Sequence, residues 1–339
     1  MQSRTAVLGA GSWGTALAIL IARNGHPVTL WGHHPDHVQD LAAARENRRY
    51  LPDVSFPALL QVDVDLDAIA EQSEILILAV PSHAFRATLS QASKQLSRHC
   101  RIAWATKGLD HVRGMLMHEI VAEILGADRA MAVLSGPTFA NEVAHNQPTA
   151  MTIASNDEVF AQDLVRLMHN NAFRTYTTDD LIGVQLGGAT KNVLAIAAGM
   201  ADGLGFGANA RAALITRGLA ELMRLGMALG GRMETLMGLA GVGDLILTCT
   251  DNQSRNRRFG LGLGQGRPRQ DVIDDIGQEI EGIATAGTIM QLARRLGIDM
   301  PISEQVYRIL YEDLSASEAV RNLLLREPKP EKISLAQAK

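Results

Sequence analysis

An α/β sheet domain followed by an all-helical domain is the fold class this 339-residue sequence predicts. Three observations carry the expectation. Up to about residue 178 short β-type runs alternate with helical patterns, and after residue 180 the β-type runs stop. Runs such as "ILILAV" are apolar without alternation, as strands are when helices cover both faces of a parallel sheet. One core does not suit a chain of this length. Two domains are therefore expected, over residues 1–180 and 181–325, with 326–339 as a flexible tail.

The expected strands are Thr5–Gly9, Pro27–Trp31, Glu74–Val80, Arg101–Thr106, Ala130–Ser135, Ala150–Ala154 and Phe173–Thr177. Helical patterns fall between most of them, among them Gly14–Asn24, Pro35–Asn47 and Asp157–Asn170. Beyond residue 180, stretches rich in Ala, Leu, Met and Gly, including 209–230, 282–297 and 315–325, spell helices. The end, "REPKPEKISLAQAK", has two prolines, mixed charge and little to bury, the composition of a segment without a core of its own.

Composition narrows the function classes. A net charge of −4 gives no global basic field, so no nucleic-acid partner is expected, and an anionic ligand needs a local group of cations. Cys100 and Cys249 have neither metal-type nor redox-type spacing, which fits a reducing compartment and no bound metal. Thr5 to Ile21 is apolar enough to suggest a signal-peptide core, but three glycines interrupt it and it divides into strand, turn and helix. No other segment has the ~18 uninterrupted apolar residues of a membrane span. A soluble, cytoplasmic protein with no integral membrane segment is expected.

"TAVLGAGSWGTALA" places Gly9-x-Gly11-x-x-Gly14 directly after a strand and at the opening of a helix. The first glycine suits a tight turn, the second lets backbone approach a pyrophosphate, and the third lets the helix pack on the strand. The helix start adds N–H donors and a favourable dipole. Together these describe a Rossmann-type, doubly wound sheet that binds NAD or NADP as a dissociable coenzyme. NAD-specific sites carry an acid at the end of the second strand. Here "LWGHH" puts His33 and His34 there instead, so a 2′-phosphate meets no carboxylate and NADPH is accepted alongside NADH.

Ligands of such sheets bind beyond the carboxyl ends of the strands. "WATKG" puts Lys107 there, and "LSGPTFANE" puts Gly136, Thr138 and Ala140 there, although an exposed lysine and a capped turn fit these residues equally well. In the helical half, "GLAGVGDLILTCT" leads to Asp244, with Thr248 one turn later; an N-cap explains an Asp there as well as a site does. "TDNQSRNRRFG" carries Ser254, Arg255, Asn256, Arg257 and Arg258, either a solvated face or a set of donors for phosphate oxygens. "GGATKNVLAIAAGMADGLG" surrounds Lys191 with the smallest residues in the chain. A lysine snorkelling from a helix interface and a lysine working among small neighbours both fit that pattern.

Taken jointly, "GAGSWGTALA", "LWGH", "WATKGL", "SGPTFA", "GVQLGGATKNVLAI", "GFGANARAALITRGLAE", "GVGDL" and "TDNQSRNRRFG" resemble the bacterial NAD(P)-dependent glycerol-3-phosphate dehydrogenases. The likeness runs from the first strand to about residue 325. Thr138 stands where serine is frequent and Val242 where leucine is common, and neither alters the expected chemistry. The resemblance implies reversible reduction of dihydroxyacetone phosphate to sn-glycerol 3-phosphate, a precursor of glycerophospholipids, by a homodimer. It implies Lys191 as proton donor and acceptor with Lys107 and Asp244 beside it. Substrate contacts fall on Lys107, Gly136, Thr138, Lys191, Asp244, Ser254, Arg255 and Asn256. Coenzyme contacts fall on Ser12, Trp13, His33, Lys107, Ala140, Arg255 and Glu281, in addition to the glycine turn and His34. Small neighbours of Lys191 are expected to leave room for substrate and coenzyme. Two competing functions remain from residues alone: a hydroxy-acid dehydrogenase of the same architecture, which has no need of the Arg255–Asn256 phosphate site, and a protein that senses NAD(P)H without turnover.

Overall fold

The computed structural model describes residues 4–327. The expected tail at 326–339 lies almost wholly outside the described residues. The chain divides into two compact units, and the division is not contiguous: Lys107–Leu116 groups with the residues from Ile182 onward, and the remainder up to Leu181 forms the other unit. The expected cut at 180/181 lies within one residue of the later boundary, and residues 107–116 group across it. Their apolar side chains explain why, since Leu109 and Leu116 are buried in the core of the helical unit.

The sheet unit runs β1 (Thr5–Leu8), α1 (Ser12–Arg23), β2 (Val28–Trp31), α2 (Pro35–Ala44), β3 (Glu46–Asn47), β4 (Leu51–Ser55), β5 (Leu60–Asp63), α3 (Leu66–Gln72), β6 (Ile75–Leu78) and α4 (Ser82–Ala92). It continues with β7 (Arg101–Trp104), α5 (Met117–Leu125), β8 (Met131–Ser135), α6 (Ala140–Ala144), β9 (Thr149–Ser155), α7 (Glu158–Met168) and β10 (Phe173–Thr178). The eight-stranded sheet has the order β10-β9-β8-β7-β6-β1-β2-β5. From β5 to β8 every pairing is parallel, which is the doubly wound arrangement whose strand order reverses between β1 and β6. Strand β9 runs antiparallel to β8, and β10 returns parallel to β9.

All the expected strands form. The segment from 46 to 63 departs from expectation. Helix α2 stops at Ala44 rather than reaching Asn47, because Arg45 turns left-handed (φ 52°) and Asn47 is drawn wholly into the interior. Residues 46–55 then form the antiparallel pair β3–β4, and "LQVD" adds the edge strand β5. Its alternating burial, with Leu60 buried and Gln61 exposed, is the pattern of a strand half in water.

The helical unit comprises α8 (Leu181–Gly203), α9 (Ala208–Ala228), α10 (Met233–Leu236), a π-turn (Leu239–Gly243), α11 (Asp244–Thr250), α12 (Arg255–Gly264), α13 (Arg269–Ile276), α14 (Glu281–Leu296), α15 (Pro301–Tyr311) and α16 (Ala316–Leu324). Helix α8 is long and apolar enough to span a membrane by length and composition, but 89% of that apolar stretch is buried within the protein. It is the core helix. Its small residues set how close its neighbours come. A methyl group on Gly199 would lie 2.0 Å from the Arg257 carbonyl oxygen, and one on Gly203 2.4 Å from that of Leu261. The reverse contacts, Gly260 against Ile196 and Gly264 against Met200, are as tight, so α8 and α12 touch backbone to backbone. Glu221 on α9 is buried and accepts hydrogen bonds from the Ile302 and Ser303 amides, satisfying the start of α15.

Candidate active site

In the sheet unit the glycine turn has three different reasons for its three glycines. Gly9 adopts φ +118°, and a Cβ there would press to 2.7 Å from the Ala79 carbonyl oxygen just past β6. Gly14 lets α1 pass the turn, since a Cβ would lie 1.9 Å from the Gly9 oxygen. At Gly11 a Cβ would meet nothing within 4 Å, so its missing side chain leaves open space at the start of α1. No side chain caps that helix start, whose amides are left for an anion. Beside it the Trp13 indole N–H is buried without an acceptor among the described residues. The open space, uncapped amides and orphan donor fit the pyrophosphate of a dinucleotide.

Ser12 is partly committed, donating to the Tyr50 carbonyl at 2.7 Å. His33 and His34 are exposed, with ring centroids 3.6 Å apart. Local burial and the neighbouring His34 and His37 hold the His33 imidazole below the usual histidine range. Near neutral pH His33 therefore offers a neutral N–H rather than a cation. Beyond β8, Gly136 takes φ +156°, Thr138 donates back to the Gly136 carbonyl at 3.2 Å, and Ala140 opens α6.

The helical unit gathers the charged candidates. Lys191 is buried at mid-length of α8, where its ammonium bonds the Asp244 carboxylate. The other carboxylate oxygen accepts from Lys107 at 2.8 Å, so one aspartate holds two lysines. Asp244 does not cap its helix: it is the first residue of α11, 1% exposed, and its side chain goes to the lysines. Thr248 donates to the Asp244 carbonyl at 2.6 Å and fixes that first turn. Burial drives the Lys191 ammonium down to about 7; Lys107 pushes the same way, while Asp244 opposes both. A buried lysine poised near neutrality can give or take a proton.

The glycine beside Lys191 behaves otherwise than the sequence suggests. Gly187 does not leave room for a ligand: a Cβ there would lie 2.2 Å from the Ala240 carbonyl oxygen. The space is filled by the π-turn that delivers Asp244. Gly241 in that turn is equally constrained, its missing Cβ falling 1.9 Å from the Leu236 oxygen.

The arginine run divides three ways. Arg257 is buried, donating to the Cys249 carbonyl at 3.1 Å and pairing with Asp202, so it is structural. Arg258 is exposed. Arg255 is half-buried; burial lowers its affinity for the proton, and the Glu281 and Glu279 charges restore part of it. Ser254 caps α12 by accepting from the Arg257 amide at 3.2 Å. Asn256 donates to Asn192 and accepts from the Gly282 amide, each at 2.9 Å, and so ties α8, α12 and α14 together one residue from Lys191 and one from Glu281. Sequence reasoning missed Asn192 and Asp202. Their partners lie 64 and 55 residues away, where no local pattern reaches. Burial raises both thiols, Cys100 and Cys249, to about 12, which leaves neither as a nucleophile.

Comparison with known proteins agrees over both units. The family model for the N-terminus of NAD-dependent glycerol-3-phosphate dehydrogenase matches residues 4–161, and that for its C-terminus matches residues 180–321. A glycerol-3-phosphate dehydrogenase (NAD(P)+) of Methylococcus capsulatus is 64% identical over 332 residues, covering 98% of this chain and 99% of its own. One from Pseudoalteromonas translucida is 56% identical, with 97% and 98% covered. The crystal structure of glycerol-3-phosphate dehydrogenase from Coxiella burnetii superposes with a TM-score of 0.93 at 50% identity, covering 96% of this chain and 99% of that one.

Proposed function

The chain belongs to the NAD-dependent glycerol-3-phosphate dehydrogenase family, and from that premise we propose that it reduces dihydroxyacetone phosphate reversibly to sn-glycerol 3-phosphate with NADPH or NADH. The observation that carries the proposal is the buried Lys191 held by Asp244 with Lys107 on the same carboxylate.

Gly9, Gly11 and Gly14 would admit the coenzyme's pyrophosphate, the backbone amide of Ser12 and the indole of Trp13 would donate to it, and His33 and His34 would line its adenosine ribose. Ala140 and Glu281 join them on the resemblance. When bound, the nicotinamide supplies or accepts the hydride. Lys191 does the rest at the carbonyl oxygen. Its ammonium stabilises the negative charge that develops there and delivers the proton; in the reverse direction the neutral amine removes it. Asp244 aims the ammonium and keeps it from losing its proton outright. Burial, with Lys107 pushing the same way, outweighs Asp244 and brings the Lys191 ammonium down to about 7.

Arg255, supported by Ser254 and Asn256, would bind the phosphate. Since Asn256 is already engaged with Asn192 and Gly282, its larger part is to hold that helix start. The substrate contacts of Gly136 and Thr138 rest on the resemblance alone. A homodimer in the cytoplasm completes the proposal, with size-exclusion chromatography as the check on the dimer.

The test follows NADPH loss with dihydroxyacetone phosphate and with unphosphorylated dihydroxyacetone. The phosphorylated substrate should be strongly preferred. Arg255→Ala should lower its kcat/KM by roughly 30- to 1000-fold, the ~2–4 kcal/mol of a lost charge-assisted pair, and, at NADPH concentrations that a titration of the variant shows to be saturating, leave the weak dihydroxyacetone rate nearly unchanged. Equal loss on both substrates, with normal NADPH binding, would remove Arg255 from the phosphate site.

A further inference from the structure

Asn47 is wholly buried, in a position that the sequence offers as the end of a helix. A buried amide needs partners for every donor and acceptor, and here it has them. Its Nδ2 donates to the Ala10 carbonyl at 3.0 Å and to the Thr15 hydroxyl at 2.8 Å. Its Oδ1 accepts from the Tyr50 amide at 3.2 Å. Ala10 lies between the first two glycines of the turn, and Thr15 in the first turn of α1.

We propose that Asn47 is a positioning residue for the coenzyme, fixing the peptide between Ala10 and Gly11. This rests on the reading of the glycine turn as the coenzyme site. A trans peptide carries its C=O and N–H on opposite sides. Holding the Ala10 oxygen against Asn47 therefore turns the Gly11 N–H away from Asn47, and the bond to Thr15 stops that plane from rotating with respect to α1. The segment that carries Asn47 is fastened again at Tyr50, whose carbonyl accepts from Ser12, the first residue of α1. The glycine turn has no side chains of its own to set its shape between Gly9 and Gly11 beyond one methyl group. A strand pair 37 residues away does so instead. Asn47 touches neither the substrate nor the reacting atoms in this account; it acts through backbone donors.

The full-length protein carrying Asn47→Ala or Asn47→Asp tests this. Asp keeps the shape and the Tyr50 contact but replaces both donors with acceptors facing the Ala10 oxygen. The readouts are the NADPH Kd by fluorescence titration without turnover, kcat and the dihydroxyacetone phosphate KM at saturating NADPH, and Tm. The Kd should rise by about 10-fold in Asn47→Ala and further in Asn47→Asp, while kcat and the substrate KM stay within about twofold. Thr15→Val, which removes one of the three contacts and leaves the Ala10 bond, should raise Kd by less than Asn47→Ala does. A fall in Tm with an unchanged Kd in both Asn47 variants would overturn the proposal, as would failure of both to fold, which would make Asn47 a requirement of the core. If wild-type protein itself bound no NADPH, the reading of the turn would fail first.

Discussion

The glycine turn of the sheet unit and the small-residue stretch of α8 use the same residue for opposite ends. At Gly11 the missing Cβ leaves open space, and among the described residues nothing beyond its chain neighbours comes within 4 Å of it. At Gly187, Gly199 and Gly203 the missing Cβ is replaced by the protein's own backbone, from the π-turn or from α12, at 2.0–2.4 Å. One glycine leaves space open; the others let a helix be gripped so tightly that a lysine on it can be buried against an aspartate. A glycine in a sequence announces a close approach without saying what approaches.

Removing the gripped charge should give the largest effect and separate the two regions. Lys191→Ala should lower kcat by on the order of 10²–10⁴, the range for a lost general acid, while the NADPH Kd of the glycine turn barely moves. Near-full kcat in steady-state assays would make the lysine structural. Lys191→Arg should rescue little, because guanidinium stays protonated and has the wrong shape.

Exchanging one hydrogen for a methyl in each region breaks the comparison if it is mistaken. Gly187→Ala must displace the Ala240 carbonyl and with it the π-turn before Asp244. It should destabilise by ~1–3 kcal/mol in chemical denaturation, the usual cost of overpacking, and lower kcat as well. Gly11→Ala should do the reverse. Its extended backbone (φ −80°, ψ −176°) suits alanine, so stability should hold or rise by roughly 0.4–1 kcal/mol. NADPH binding should nevertheless weaken by about 10-fold or more, since the methyl enters the space kept for the ligand. An unchanged Kd in titration would mean that the space is not the coenzyme's.

The smallest effect is a displaced pH profile. Lys191 must be charged to donate a proton and neutral to accept one. Ketone reduction should therefore fall as pH rises through about 7, and alcohol oxidation should rise over the same interval. Lys107→Ala removes a like charge that lowers the Lys191 value, so both limbs should move to higher pH; Asp244→Asn removes the carboxylate that raises it and should move them lower. The lowered value also links to stability. Between about 7 and 10.5 the unfolded chain binds the proton that the folded one has lost, so stability should rise with pH across that window.

How much could be read in advance differs between the two units. The strands from β1 to β10 that lie inside the sheet were legible because burial on both faces leaves a continuous apolar run, as in "ILIL" of β6. Strand β5 was not, because a four-residue edge strand half in water offers no continuous apolar run, and the β3–β4 pair was not, because "AAARENRR" favours a helix locally. The buried amide of Asn47, with acceptors 32 and 37 residues away, overrides that preference.

Sequence by itself determined the two-part architecture, the glycine turn after β1, and which residue types are assembled for an anionic substrate and a proton transfer. Those follow from periodicity and from motifs whose members lie close along the chain. Only the tertiary structure decided that Asp244 holds two lysines instead of capping α11, and that Arg257 is internal and paired with Asp202 while Arg255 is half-buried beside Glu279 and Glu281. It also decided that residues 107–116 pack with the helical unit and that Gly187 admits a backbone rather than a ligand. The physical reason is common to all four. Whether a charge is paired or a vacancy is filled depends on groups that arrive from 53 or 137 residues away, and their arrival is fixed by packing that no local run of residues encodes.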